Sequence, residues 1–168
     1  MGGMALLSRT RLEPSVLSSL ASHLGRRPRV LAWAKTADGH VVGLSGELAF
    51  EIGGRWQSQP WHEIDKGTWD EQAGRLSWTR ADGTSEELQL ADGKRFADLF
   101  NERVTASIVF RRRVELGRGR YVAVALRRDL GRGGEQTIWT TTPGPGVDLS
   151  DPEVSARVDA VRADFGIS

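Results

Sequence analysis

The 168-residue chain has no cysteine, which removes disulfides, thiolate zinc sites, iron–sulfur clusters and cysteine nucleophiles in one step. Histidine is scarce and scattered, at His23, His40 and His62, so no imidazole-built metal site, and no cofactor, is expected. Lysine is scarcer than arginine, three against twenty, which reads more as coding bias than as a chemical choice. No segment approaches the roughly 18 consecutive apolar residues of a membrane span, and Met1 to Leu12 lacks the apolar stretch of a secretory signal. The expected location is therefore the cytoplasm. Met1-Gly2 opens like an acylation signal, but Leu6 stands where that pattern requires Ser or Thr. Net charge of either sign is missing too: 23 basic and 22 acidic side chains leave +1.

What is present fits one domain. A 39% hydrophobic and 27% charged composition is near globular averages, and a chain of this length buries enough surface for one core. Val16, Leu17, Leu20, Ala21 and Leu24 make one helical stripe over Pro14 to Leu24, with Gly25 as stop. From Val30 the period drops to two. Asp38-Gly39 and Asp82-Gly83 are hairpin turns, Gly53-Gly54 is another turn, and Leu48, Phe50 and Ile52 alternate with more polar neighbours, which predicts a meander with one wet face. Trp61 to Asp65 and Thr68 to Asp70 read as two short strands around Lys66-Gly67. Leu76 with Trp78, and Leu88 with Leu90, complete about seven strands. Phe96, Leu99, Phe100, Val104 and Ile108 then keep helical spacing, predicting a helix from an Asp92 cap to about Arg112, its second half rich in β-branched residues. Arg120 to Arg128 and Thr137 to Thr142 form a hairpin around a glycine-rich loop. A last helix starts at Asp151-Pro152, with Val154, Val158, Val161 and Phe165 on one face.

Seven meander strands followed by an amphipathic helix resemble the plan of bacterial pleckstrin-homology-like (GRAM-like) domains. Trp61-His62-Glu63-Ile64, Thr68-Trp69-Asp70 and Arg75-Leu76-Ser77-Trp78 resemble a recurrent strand order of that superfamily, and Glu102 to Val109 resembles a stretch of small actinobacterial proteins. The resemblance covers residues 28–113. It implies an α+β, mainly β fold: a barrel of about seven antiparallel strands in two bent sheets, capped by a long helix. Residues 1–27 would be an N-terminal helix and connector, and residues 114–168 a hairpin-helix extension on the same core. Such domains are mostly binding platforms for peptides, proteins or lipid headgroups, so the fold alone fixes no ligand.

No catalytic motif converges. His62 and Glu63, adjacent on a strand, point to opposite faces, and His-Glu-Ile-Asp-Lys lacks the second histidine of a zincin helix. Gly43-Leu44-Ser45-Gly46 is one residue short of a nucleophile elbow. Gly117-Arg118-Gly119-Arg120-Tyr121-Val122 has Val122 at the third glycine position of a dinucleotide fingerprint and precedes a strand instead of following one. Four tryptophans, Trp33, Trp61, Trp69 and Trp78, read as core rings whose indole N–H groups meet carbonyls. Trp56, among Arg55, Gln57 and Ser58, reads as an exposed aromatic.

Charge is the informative property. Thr36 to Gly93 carries eleven acids against four bases, a net of −7, whereas Arg103 to Arg132 carries nine arginines against two acids, a net of +7. The candidate anion- or partner-binding residues are Arg111, Arg112, Arg113, Arg118, Arg120, Arg127, Arg128 and Arg132. Two layouts stay open: these arginines pair with the acidic strands or with Asp148, Asp151 and Asp159, or they lie apart on the surface. The expected function is a non-enzymatic interaction module for a protein or anionic partner. The alternatives are RNA or DNA binding through Arg103 to Arg132, and anionic lipid headgroup binding as a peripheral membrane protein. Aromatic interleaving for single-strand stacking is thin, with only Phe110 and Tyr121 in that segment. Self-association of opposite patches is compatible with the layout.

Overall fold

The computed structural model describes residues 11–166, so the Met1-Gly2 signal lies outside the described residues. The architecture is α+β, mainly β. A curled seven-stranded antiparallel sheet has the order β4-β3-β2-β1-β7-β6-β5. Its strands are β1 (Ala32–Thr36), β2 (Gly39–Gly43), β3 (Glu47–Ile52), β4 (Arg55–Pro60), β5 (Ile64–Asp70), β6 (Arg75–Arg80) and β7 (Ser85–Ala91). The sheet is continuous through a narrow seam, because β1 meets β7 only at Lys35↔Ala91 and Thr36↔Leu90. Its concave side is closed by α2 (Lys94–Ala106), which buries Phe96, Ala97, Phe100 and Val104. Two glycines permit that approach: a Cβ on Gly43 would strike Leu99, and one on Gly67 would strike the Phe100 ring. Among the described residues no helix is long and apolar enough to cross a membrane.

The core follows from the alternation. Val41, Leu48, Phe50, Trp61, Ile64, Leu76 and Trp78 pack with Phe96 and Phe100, and rings meet edge-on at 5.5 Å for Phe50–Trp78 and 5.8 Å for Trp61–Phe100. Trp61 donates its indole N–H to the Leu44 carbonyl at 2.8 Å. The other core tryptophans differ from expectation: the indole nitrogens of Trp33, Trp69 and Trp78 are buried without a partner. Large apolar rings tolerate this, because their buried area outweighs one unmade hydrogen bond.

The meander has no simple wet face. Val42, Leu44 and Ala49 point away from the main core and are covered by α1 (Pro14–Leu24) through Leu17, Leu20 and Leu24. The helix begins on Pro14, whose missing N–H costs nothing there, and stops at Gly25 with φ 70°, whose N–H returns to the Ala21 carbonyl.

Three local expectations are corrected. Trp61 to Asp65 is not a strand: Trp61–Glu63 forms one 3₁₀ turn after Pro60, and a single strand, β5, follows with a register shift between Ile64 and Lys66. The helix after β7 ends at Ala106 instead of Arg112, and its N-cap is Gly93, with no side-chain cap from Asp92. The β-branched stretch after Ser107 has a strand partner available, and pairing wins over helical spacing. The C-terminal part is accordingly a three-stranded sheet instead of a hairpin, ordered β10-β9-β8, with β8 (Ile108–Gly117), β9 (Arg120–Arg128) and β10 (Thr137–Pro143). The last helix, α3 (Pro152–Asp164), covers one face of it, capped by the Asp151 carboxylate on the Glu153 N–H.

Candidate functional site

The second sheet sorts its arginines by strand alternation. Phe110, Val114 and Leu116 of β8 pack with Val122, Val124 and Trp139 beneath Val158 and Val161 of α3. Residues 111 and 113 therefore face the other way, and at Arg111 that side meets the seven-stranded sheet. Arg111 reaches Asp65 across that boundary with both Nε and Nη2, at 3.2 to 3.4 Å. It is the one arginine–carboxylate pair among the described residues that joins the basic segment to the acidic strands. Several other strand acids find bases elsewhere, as in Arg26–Glu47, Arg75–Glu87 and Arg80–Glu86.

Arg127 is a core residue. It is 1% exposed and donates to the carbonyls of Ile64 at 2.5 Å and Trp61 at 3.0 Å and to the Ser107 hydroxyl. Burial lowers its pKa to about 10, with Asp65 opposing and Arg111 reinforcing the shift. It stays charged at neutral pH, serves as an inter-sheet tie, and is unavailable to a partner. Sequence alternation placed it on a strand but could not show that its inward face meets three acceptors.

The other arginines divide into two groups. Arg103 pairs with Glu102 at 2.8 Å, Arg112 with Asp164 at 3.9 Å, Arg113 with Glu115 at 2.9 Å and Arg132 with Asp129 at 3.7 Å. Arg112 also lies over Phe110, and Arg113 lies 3.7 Å from the Tyr121 ring centroid. Arg118, Arg120 and Arg128 are exposed and have no carboxylate within ion-pair distance among the described residues. Arg128 sits at the opposite end of β9 from Arg120, on the order of 25 Å away along an extended strand.

Arg118 and Arg120 share the tip of the β8–β9 hairpin. Gly117 pairs with Arg120, leaving Arg118-Gly119 as a two-residue loop with φ 57° and 74°. Positive φ at both central positions is the twist-compatible hairpin turn; Gly119 adopts it freely, and Arg118 is a non-glycine exception. The α3 helix runs antiparallel to β8, since Arg157 meets the Glu115 carbonyl at 2.9 Å while Asp164 meets Arg112. That docking brings exposed Arg157 to the Glu115 carbonyl, on the hairpin that carries Arg118 and Arg120. No sequence signal marks Arg157, because its role depends on the direction in which α3 lies.

The remaining candidates fall elsewhere. Trp56 is half-buried instead of exposed; its ring packs beneath α1 and its indole N–H donates to Ser19 Oγ at 2.9 Å. His62 does not associate with Glu63; its Nδ1 lies 3.8 Å from Asp129. No group of three or more potential metal ligands assembles among the described residues. Compared with family models, curated proteins and solved structures, the chain matches none.

Proposed function

We propose that the protein is a non-enzymatic interaction module with a pleckstrin-homology-like core, and that it takes an anionic partner at the tip of the β8–β9 hairpin. The core reading is supported by seven next-neighbour antiparallel strands with a narrow β1–β7 seam and a helix laid across the open side directly after the last strand. The partner reading rests on one observation: Arg118 and Arg120 are exposed at a two-residue turn and have no carboxylate within ion-pair distance among the described residues, whereas most of the basic segment is already paired or buried. Guanidinium groups so placed suit phosphate or carboxylate oxygens, which they can grip in pairs.

The test is retention on a polyanion over a salt series, for the wild type and for a variant carrying Arg118→Glu and Arg120→Glu. The wild type binds with a log–log salt slope that the variant loses, by about 0.9 per phosphate contact removed. Parallel arms with RNA, DNA and anionic vesicles identify the class of partner. Wild-type protein that is not retained on any of these at low salt overturns the reading.

A further inference from the structure

The two sheets have four edge strands, β4, β5, β8 and β10. Unpaired edges invite strand addition, and folded proteins guard them with charge, proline, bulges or a covering element. Three of the four are guarded. The β4 strand starts at exposed Arg55 and ends on Pro60. The β5 edge carries the register shift at Ile64/Lys66 and exposed Lys66 and Asp70. On β8, Arg111, Arg112 and Arg113 are accompanied by two register shifts.

The β10 edge carries no charge and no bulge along its length, and the β6–β7 turn touches it only at its end, where a Cβ on Gly83 would meet Pro143. Its sequence, Thr-Ile-Trp-Thr-Thr-Thr-Pro, has no charged residue and meets a proline only at its last position. Seven consecutive pairs with β9, Thr137↔Arg128 through Pro143↔Val122, run without a register shift, so the strand is regular. No backbone hydrogen bond joins Thr137–Pro143 to any strand or loop besides β9 among the described residues. Ile138, on the same strand, is 41% exposed, the highest value for a large hydrophobic residue among the described residues.

We propose that β10 pairs antiparallel with β10 of a second copy of this chain, about a two-fold axis near Thr140, to make a continuous six-stranded sheet. Antiparallel pairing about that axis sets Thr140 opposite its copy, Trp139 opposite Thr141 and Ile138 opposite Thr142, so no charge meets another, whereas β8 carries Arg111, Arg112, Arg113 and Glu115. The Thr140 pair and the two Trp139–Thr141 pairs add favourable cross-strand contacts, and the outward N–H and C=O groups gain partners. One seven-residue strand is a small interface, so the dimer dissociates on dilution instead of being obligate.

The mass of the full chain, measured by light scattering over a wide concentration series, tests this. The wild type passes from one chain to two as concentration rises. Thr140→Lys, which puts like charges across the axis, raises the dissociation midpoint about tenfold or more, whereas Thr68→Lys on the exposed part of edge strand β5 leaves it unchanged. Because a lysine could also disturb folding, hydrogen exchange of the unmodified protein supplies an independent reading: amides of Thr137 to Thr142 gain protection with concentration. A single-chain mass up to the solubility limit overturns the proposal. So does a dimer that Thr68→Lys weakens and Thr140→Lys does not, or protection that does not change in β10.

Discussion

Arg127 donates through Nη1 to the carbonyl oxygen of Ile64, 2.5 Å away and 63 positions earlier in the chain. The same guanidinium holds the Trp61 carbonyl and the Ser107 hydroxyl, so one buried cation ties the end of α2, the start of β5 and the second sheet together. Replacing Arg127 with Leu leaves these acceptors buried and unpaired, at a cost of about 3–5 kcal/mol. Urea denaturation checks this through a lower midpoint. Arg127→Lys recovers only part of the loss, because an ammonium group does not match the guanidinium fork.

Arg111 and Asp65 form the second bridge between the sheets. Asp65 is buried and Arg111 partly exposed, so Asp65→Ala is expected to cost more than a surface pair would, about 1–3 kcal/mol. A double-mutant cycle with Arg111→Ala should give a coupling of about 1 kcal/mol. A coupling near zero would show that the contact contributes nothing to docking.

Gly67 is required by packing, not by its backbone angles. A methyl group there would enter the Phe100 ring, so Gly67→Ala forces α2 off β5 and destabilises by about 1–3 kcal/mol. Gly53→Ala adds a Cβ into open space at φ 59° and costs about 1 kcal/mol through strain alone. Thermal unfolding of the two variants separates steric from conformational demand.

Acid should loosen the β6–β7 turn through Asp82. The Thr84 hydroxyl and N–H, at 2.6 and 2.9 Å, hold the Asp82 carboxylate in its charged form and lower its pKa from 3.8. A carboxyl with a folded-state pKa below its unfolded value stabilises above the unfolded value and loses that contribution as pH falls through the folded one. The stability difference between wild type and Asp82→Asn is therefore present at about pH 5 and fades toward about pH 2. A difference that stays constant over that range would rule the linkage out.

Local periodicity made much of the fold legible. Gly53-Gly54 and Asp82-Gly83 are turns because few residues other than glycine adopt their backbone angles comfortably, and the apolar positions between them have a period that only strands share. The first hairpin turns one residue earlier than Asp38-Gly39, at Ala37-Asp38, because Thr36 pairs with Gly39. The stop at Gly25 and the cap at Asp151 are likewise local. Val104 to Phe110 was ambiguous for a physical reason. Its spacing fits a helix and its β-branched residues fit a strand, and the choice falls to β9, which lies ten or more residues further along the chain.

The arginines divide the same way. Their number, their clustering into a +7 segment and their alternation on β8 and β9 are properties of the chain alone. Which of them remains free is not, because that depends on which face of the second sheet meets the first. Docking put Arg127 among three acceptors and Arg111 on Asp65, laid α3 so that Asp164 reached Arg112, and left Arg118 and Arg120 at the hairpin tip. Charge along a chain is a sum over residues, whereas neutralisation requires contact within a few ångströms, and only the tertiary structure sets those distances.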